Sequence, residues 1–153
     1  MAMKKKYPKK TVTSKFKSKL EEDFNKFLIN QKINFGYEDF KVSFLKPEKA
    51  SYYKPDFHCP TNTSRILLET KGQFLTSDRR KHLYIKEQYP DLDIRFVFSN
   101  AQNKIGKKSK TTYAKWCEIK GFKYHCIKTT GKFLPKEWVK EILTKQNMDK
   151  FYE

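Results

Sequence analysis

Residues 54–72 read KPDFHCPTNTSRILLETKG. Proline is tolerated at the first position of a strand, so a strand is expected to open at Pro55. The segment SRILLETKG is a second strand, apolar in its body and polar at its end. Residues two apart on a strand share a face, so Glu69 and Lys71 project together while Thr70 turns away. If the strand that begins at Pro55 runs alongside, Asp56 stands next to Glu69. Two carboxylates that close repel each other unless a cation sits between them or one takes up a proton. Magnesium suits such a place, being a hard cation that takes oxygen ligands and keeps open positions for water and phosphate. Lys71 beside it could oppose charge building on a phosphoryl group. Taken together these residues suggest metal-assisted phosphodiester hydrolysis. The alternative is a Pro-Asp turn and a surface ion pair.

The charge balance says what such a site would act on. Lys and Arg number 34 against 17 Asp and Glu, a formal charge of +17. A charge of about 2 to 8 is enough for solubility, so the excess points to a polyanion, foremost nucleic acid. An anionic membrane fits less well, because no basic helix shows an unbroken apolar face. No apolar run is long enough for a transmembrane helix. No apolar stretch follows the basic start MAMKKKYPKK, so it does not read as a secretory signal. Cys59, Cys117 and Cys126 are odd in number and lack C-x-x-C spacing, which suggests reduced thiols in the cytoplasm. The pairs His58-Cys59 and His125-Cys126 would make a zinc site only if they met in space.

Outward from the opening stretch the pattern alternates between helix and strand. TSDRRKHLYIKEQYP is a helix capped by Thr76 or Ser77 and stopped at Pro90. LDIRFVFSN, nearly all apolar, is an interior strand. AQNKIGKKSK is a lysine-rich loop, TTYAKWCEIKG a helix ended by Gly121, FKYHCI a last strand and LPKEWVKEIL a last helix. Upstream, INFGYEDFKVSF alternates at Ile33, Phe35 and Tyr37 and again at Phe40, Val42 and Phe44. The shift of phase at Glu38-Asp39 predicts two strands. LKPEKASYY is a connector or bridge containing Pro47. The whole is a mixed α/β domain with helices on a small sheet. Apolar residues are only 37% of the chain but aromatic ones 16%, so Phe and Tyr must carry much of the packing. Trp116 and Trp138 read as core, and His82 as a helix-surface histidine that could assist as a general acid.

The first helix, SKLEEDFNKFLINQK, adds one more acid. Leu20, Phe24, Phe27 and Leu28 form its apolar stripe, with Ser18 as cap. On the helical wheel Glu21 lies about 20° from Leu28, whereas Glu22 points away from the stripe. Glu21 is therefore the acid able to look into a cleft, unless it serves only to cap the helix. Residues 1–20 hold eight lysines and no acid, a basic arm able to lie along phosphates.

At these residues the chain resembles a known family. PDF followed by LLETKG matches the PD-(D/E)xK nuclease pattern, and the likeness to the phage endonuclease I family of Holliday-junction resolvases is closer. It runs through SKLEEDFNKFL, INFGYEDFKV, YYKPDF, ETKG, DRRKHLYIKEQYPDLDIRFVFS and LPKEWVKE, roughly residues 18–141. The resemblance implies a restriction-endonuclease-like mixed sheet flanked by helices. Asp56, Glu69 and the carbonyl of Thr70 would hold Mg²⁺, or Mn²⁺, one or two ions per site. Lys71 would be the catalytic lysine, and Glu21 would complete the site. It also implies a domain-swapped homodimer. Residues 1–17 would be a flexible arm and 18–145 the nuclease domain, with 18–43 exchanged, 44–49 the bridge, 50–145 the main body and 146–153 a tail. Glu21 would then meet the other chain's Asp56, Glu69 and Lys71.

The implied activity is resolution of four-way and branched DNA by paired nicks in the cytoplasm, that of the host cell if the chain is phage-encoded. Phosphate contacts would come from Lys15, Lys17, Arg79, Arg80, Lys81, Lys107 and Lys108. Two departures stand out. CPTNTS makes the segment between Asp56 and Glu69 longer than the family's, as an enlarged hairpin turn would, and the ending MDKFYE lacks a basic tail. Two alternatives remain: a duplex-cutting nuclease of the same fold, and a non-catalytic basic module for nucleic acid.

Overall fold

The structure, a computed structural model, describes residues 15–46 and 49–147. The elements are α1 (Lys19–Asn30), β1 (Gly36–Tyr37), β2 (Val42–Lys46), β3 (Lys49–Tyr53), β4 (Phe57–Pro60), β5 (Arg65–Lys71), α2 (Thr76–Gln88), β6 (Asp93–Phe98), α3 (Tyr113–Lys120), β7 (Lys123–Cys126), α4 (Ile127–Thr130) and α5 (Lys136–Asn147). Five strands form one mixed sheet in the order β1-β4-β5-β6-β7. The β1, β4 and β5 neighbours run antiparallel, and β5, β6 and β7 run parallel. Parallel neighbours need a crossover, and α2 and α3 supply it. The fold is thus a mixed α/β domain, as the alternation of patterns predicts.

The two faces of β5 divide the core. Leu67 packs with Phe74, Ile85, Phe96, Phe98, Trp116 and Phe122 on the face covered by α2 and α3. Ile66 and Leu68 pack with Phe24, Leu28, Phe57 and Ile142 on the face covered by α1 and α5. Aromatic rings do fill much of this space: Phe74 alone meets Phe96, Phe98, Tyr113 and Trp116. Trp116 is core, stacked on Phe122, whereas Trp138 is only half-buried.

Three local readings are corrected. The segment LKPEKASYY is no mere connector: Lys49–Tyr53 pairs with Val42–Lys46 as a separate two-stranded ribbon. Tyr53 and the alternating Val42 and Phe44 supply its buried side. The proposed bridge, 44–49, therefore lies on this ribbon, with Pro47 and Glu48 outside the described residues. The cap of α2 is Leu75, not Thr76 or Ser77. Its backbone N–H donates to Asp78 Oδ2 at 3.2 Å, so an acid one turn on does the capping. The first strand of INFGYEDFKVSF shrinks to Gly36–Tyr37 because Glu38 takes a left-handed backbone, φ 49°, which breaks the extended run. The hairpin turn between β4 and β5 forms as expected, closed by Thr61 N–H to Ser64 O at 2.8 Å.

Arg95, within the apolar strand β6, is completely buried. Its guanidinium reaches Asp93 at 2.8 and 2.7 Å and Glu141 of α5 at 2.7 and 2.9 Å, and lies over the Trp138 ring. The helix α5 is thereby clamped to the sheet. The arm at 1–14 and the tail at 148–153 lie outside the described residues.

Candidate active site

The β4–β5 register pairs Phe57 with Leu68 and His58 with Leu67. Continued by one residue, it sets Asp56 opposite Glu69, and by another Pro55 opposite Thr70. Cross-strand partners share a face, and the two carboxylates lie near enough, where β4 begins and β5 ends, for the Glu69 charge to raise the Asp56 pKa. Pro55 has no N–H to offer the Thr70 carbonyl across from it. Thr70 turns its own N–H and hydroxyl to Asp56 Oδ2, at 2.9 and 3.1 Å, and so fixes the carboxylate's direction.

The electrostatics are those of a strained pair. Burial, and then the charge of Glu69, push the Asp56 carboxyl up to about 7 from its ordinary 3.8, against the pull of Lys71. Glu69 is 2% exposed, and its Oε1 has no hydrogen-bond partner. Its Oε2 lies 3.5 Å from Lys71 Nζ, which also reaches Asp78 Oδ1 at 3.4 Å. Burial works to lower the Lys71 pKa, but Glu69, Asp78 and Asp56 hold it above the ordinary value. The ammonium is therefore charged and held between Glu69 and Asp78.

Glu21 is buried at the start of α1. Ser18 accepts from its N–H at 3.1 Å, but its carboxylate is not spent on capping Ser18 in return. Oε2 instead accepts from the Lys17 N–H at 2.9 Å and from the Tyr37 hydroxyl at 2.6 Å. Tyr37 sits on β1, whose pairing with β4 continues through Glu38 N–H to Asp56 O at 3.1 Å. That short strand draws Glu21 near enough to Asp56 to add to its raised pKa. The Asp56 it meets belongs to the same chain, where the resemblance implies a partner's. Among the described residues no three His, Cys, Asp or Glu side chains stand together as a ready-made metal cluster. The gathered set is the Asp56–Glu69 pair with the Thr70 carbonyl, and Glu21 stands beside it. Buried hard-oxygen donors with one orphaned carboxylate oxygen fit a divalent cation.

The raised pKa of Asp56 has a direct consequence. A carboxyl whose folded pKa exceeds its unfolded one stabilises least when ionised. Metal-free protein should therefore lose stability as pH rises from about 4 through about 7. In EDTA, Asp56→Asn is expected to melt higher than the parent at pH 8 but not at pH 4, a difference of up to about 4 kcal/mol. Equal curves at both pH values would contradict the carboxylate conflict.

The other expected contacts fall differently. Lys15 and Lys17 are exposed near Tyr37 and Glu38, with Lys17 paired to Glu38. Arg80, Lys107 and Lys108 are exposed, and Lys81 is half-buried over the Tyr53 ring. Arg79 is a correction: it is buried, and its guanidinium donates to Phe74 O and Thr76 Oγ1, which turns it from solvent. His82 is another, for it is fully buried rather than on the helix surface. An open groove of about 650 Å³ runs from Gln73, Leu75 and Thr76 to Lys104 and Lys107, just past the end of β5. The zinc alternative fails, because β5 and β6 separate His58-Cys59 on β4 from His125-Cys126 on β7. All three cysteines are buried thiols. Sequence reasoning missed Asp78 and Tyr37. An acid in the first turn of the helix after β5 was the available signal for Asp78, and no sequence pattern pointed to Tyr37.

The family model for phage endonuclease I matches residues 1–153. The chain belongs to the phage endonuclease I family. It is 44% identical to Endonuclease I of Escherichia phage T7 over 126 residues, 82% of this chain and 79% of the relative. It is 41% identical to Endodeoxyribonuclease 1 of Enterobacteria phage T3 over 136 residues, 89% and 84%. Membership in this family supports nuclease activity, the hydrolysis of phosphodiester bonds, for the chain. Among the described residues no helix is long and apolar enough to cross a membrane.

Proposed function

We propose that this member of the phage endonuclease I family is a metal-dependent endodeoxyribonuclease that resolves four-way and branched DNA by paired nicks. The observation that carries the reading is the buried Asp56–Glu69 pair with Lys71 beside it at the end of the central strand β5. The names of the T7 and T3 relatives support cleavage, and that of the T3 relative supports DNA as the substrate. The groove with Lys104 and Lys107 next to the site supplies a path for a phosphate backbone.

Asp56, Glu69 and the Thr70 carbonyl would hold Mg²⁺ or Mn²⁺, one or two ions, with Glu21 completing the set. When bound, such an ion supplies Lewis acidity and lowers the pKa of water. The chain's own contribution is placement and charge. Thr70 orients Asp56 through two hydrogen bonds, and Tyr37 orients Glu21. Lys71 sets a fixed positive charge where the phosphoryl group gains negative charge, and Asp78 steadies that ammonium from the far side. In-line attack by water would leave a 5′ phosphate and a 3′ hydroxyl. The PD-(D/E)xK scheme accounts for these roles.

Paired nicks need two sites, and a homodimer in which 18–43 is exchanged would provide them. An exchanged dimer keeps the contacts of the single chain and changes only which chain supplies Glu21. Selectivity would then rest on the shape and flexibility of branched DNA. The decisive assay incubates a labelled four-way junction, a matched duplex and a single strand with Mg²⁺. Paired nicking of the junction, with the duplex spared, is the expected result. Equal cutting of the duplex removes junction selectivity, and binding without cutting under any divalent metal leaves only a basic binding module. Mixing Glu21→Ala with Asp56→Ala chains should regain about a quarter to a half of the activity if sites are shared across an exchanged dimer. No recovery after co-refolding sinks the exchange.

A further inference from the structure

Three buried side-chain polar atoms lack a hydrogen-bond partner among the described residues: Tyr53 Oη, Glu69 Oε1 and His82 Nε2. They are not scattered. The Tyr53 and His82 rings meet edge to face with centroids 5.1 Å apart. The Glu69 carboxylate acts on both: it faces the Tyr53 hydroxyl closely enough to add, by charge and as an acceptor, to the burial that raises the Tyr53 pKa, and it works against the burial that lowers that of His82. The cluster is walled by Phe96 and Phe122, whose rings pack on His82.

The hydrogen-bonding capacities of the three atoms do not balance. His82 Nδ1 lies 2.8 Å from the Asp78 carbonyl, which can only accept, so Nδ1 carries the proton and Nε2 presents a lone pair. Glu69 Oε1 is also an acceptor. The Tyr53 hydroxyl is the one donor facing two acceptors. A buried polar atom left unpaired is costly, so three together would be a heavy burden on a small domain. One water settles the count, because it donates twice and accepts once, to a set that accepts twice and donates once.

We propose that Tyr53 and His82 are positioning residues that hold the Glu69 carboxylate, the Tyr53 hydroxyl facing it and one enclosed water completing the set with His82, and so set its aim for the divalent cation. The inference rests on the metal reading of the site. It gives the ribbon a role in the reaction, since Tyr53 ends β3 and carries the donor. It also gives buried His82 a structural reason to be histidine, without any proton transfer to substrate.

Tyr53→Phe removes the hydroxyl and keeps the ring, and His82→Gln removes the imidazole and keeps an acceptor. Mn²⁺ binding to DNA-free protein is measured by calorimetry, junction binding in EDTA by gel shift, and melting in EDTA by circular dichroism. Tyr53→Phe is expected to weaken Mn²⁺ binding about 10- to 100-fold, with junction binding unchanged. His82→Gln is expected to weaken it less. In a Glu69→Gln background Tyr53→Phe should add no further loss. A Tyr53→Phe protein that melts lower but binds Mn²⁺ as the parent does has lost only packing, which overturns the inference and leaves the nuclease reading standing. A parent that binds no Mn²⁺ overturns both.

Discussion

Glu69→Gln should lower the rate of DNA cleavage by at least about 10²- to 10³-fold while DNA binding in EDTA stays near the parental level. The change keeps the shape of a side chain that is 2% exposed and removes only its charge. It takes away one of two mutually repelling carboxylates and leaves Lys71 with Asp78 as its near partner. The fold should not suffer, because the repulsion that helps push Asp56 up to about 7 is relieved. Lys71→Ala should fall in the same range, and Lys71→Arg should not restore the rate, since a planar fork cannot replace a compact ammonium at 16% exposure. Single-turnover cleavage, with melting and binding measured on the same samples, separates these outcomes. Cleavage that persists in Glu69→Gln would falsify the assignment of the strand edge as the active site.

Arg95→Ala should be the most damaging change for stability, at about 3–5 kcal/mol. The guanidinium is fully buried and makes four hydrogen bonds to Asp93 and Glu141, so its removal leaves a void and two carboxylates without their partner. Hydrogen bonds from Arg95 hold the Glu141 carboxyl down to about 2. A carboxyl depressed in this way stabilises above its ordinary pKa and loses that contribution as pH falls toward about 2. The parent should therefore lose part of its advantage over Arg95→Ala in acid. Arg95→Met should cost less, because it fills the space and the carboxylates, being partly exposed, can hydrate. Urea unfolding at pH 7 and at pH 3 tests both points. A loss under about 1 kcal/mol would mean that α5 is held by its apolar face alone.

Much of the site was legible because a strand has a period of two. That period put Glu69 and Lys71 on one face, and the phase of the first helix chose Glu21 over Glu22. Buried Glu21 beside Phe24 and Leu28 agrees with that wheel. The misreadings came where a long-range contact outweighed a local cue. Arg79 and His82 lie on a helix whose polar composition suggests a solvated surface, yet the β2–β3 ribbon and Phe74 cover them. Arg95 was hidden by its apolar neighbours, since nothing local says that Asp93 and a glutamate 46 residues away will meet it. The cap of α2 was misplaced because Asp78 can reach back to Leu75 once the chain has turned.

The sequence alone determined the order of helices and strands, the acidic pair at a strand end within a basic chain, and the family to which they belong. Those rest on periodicity, charge and motif, which act over a few residues. The tertiary structure decided that β1 brings Glu21 to Asp56, that Lys71 shares its charge with Asp78, and that Tyr53 and His82 close in behind Glu69. Those depend on which strands become neighbours, and burial makes such pairings strong only after the sheet has assembled.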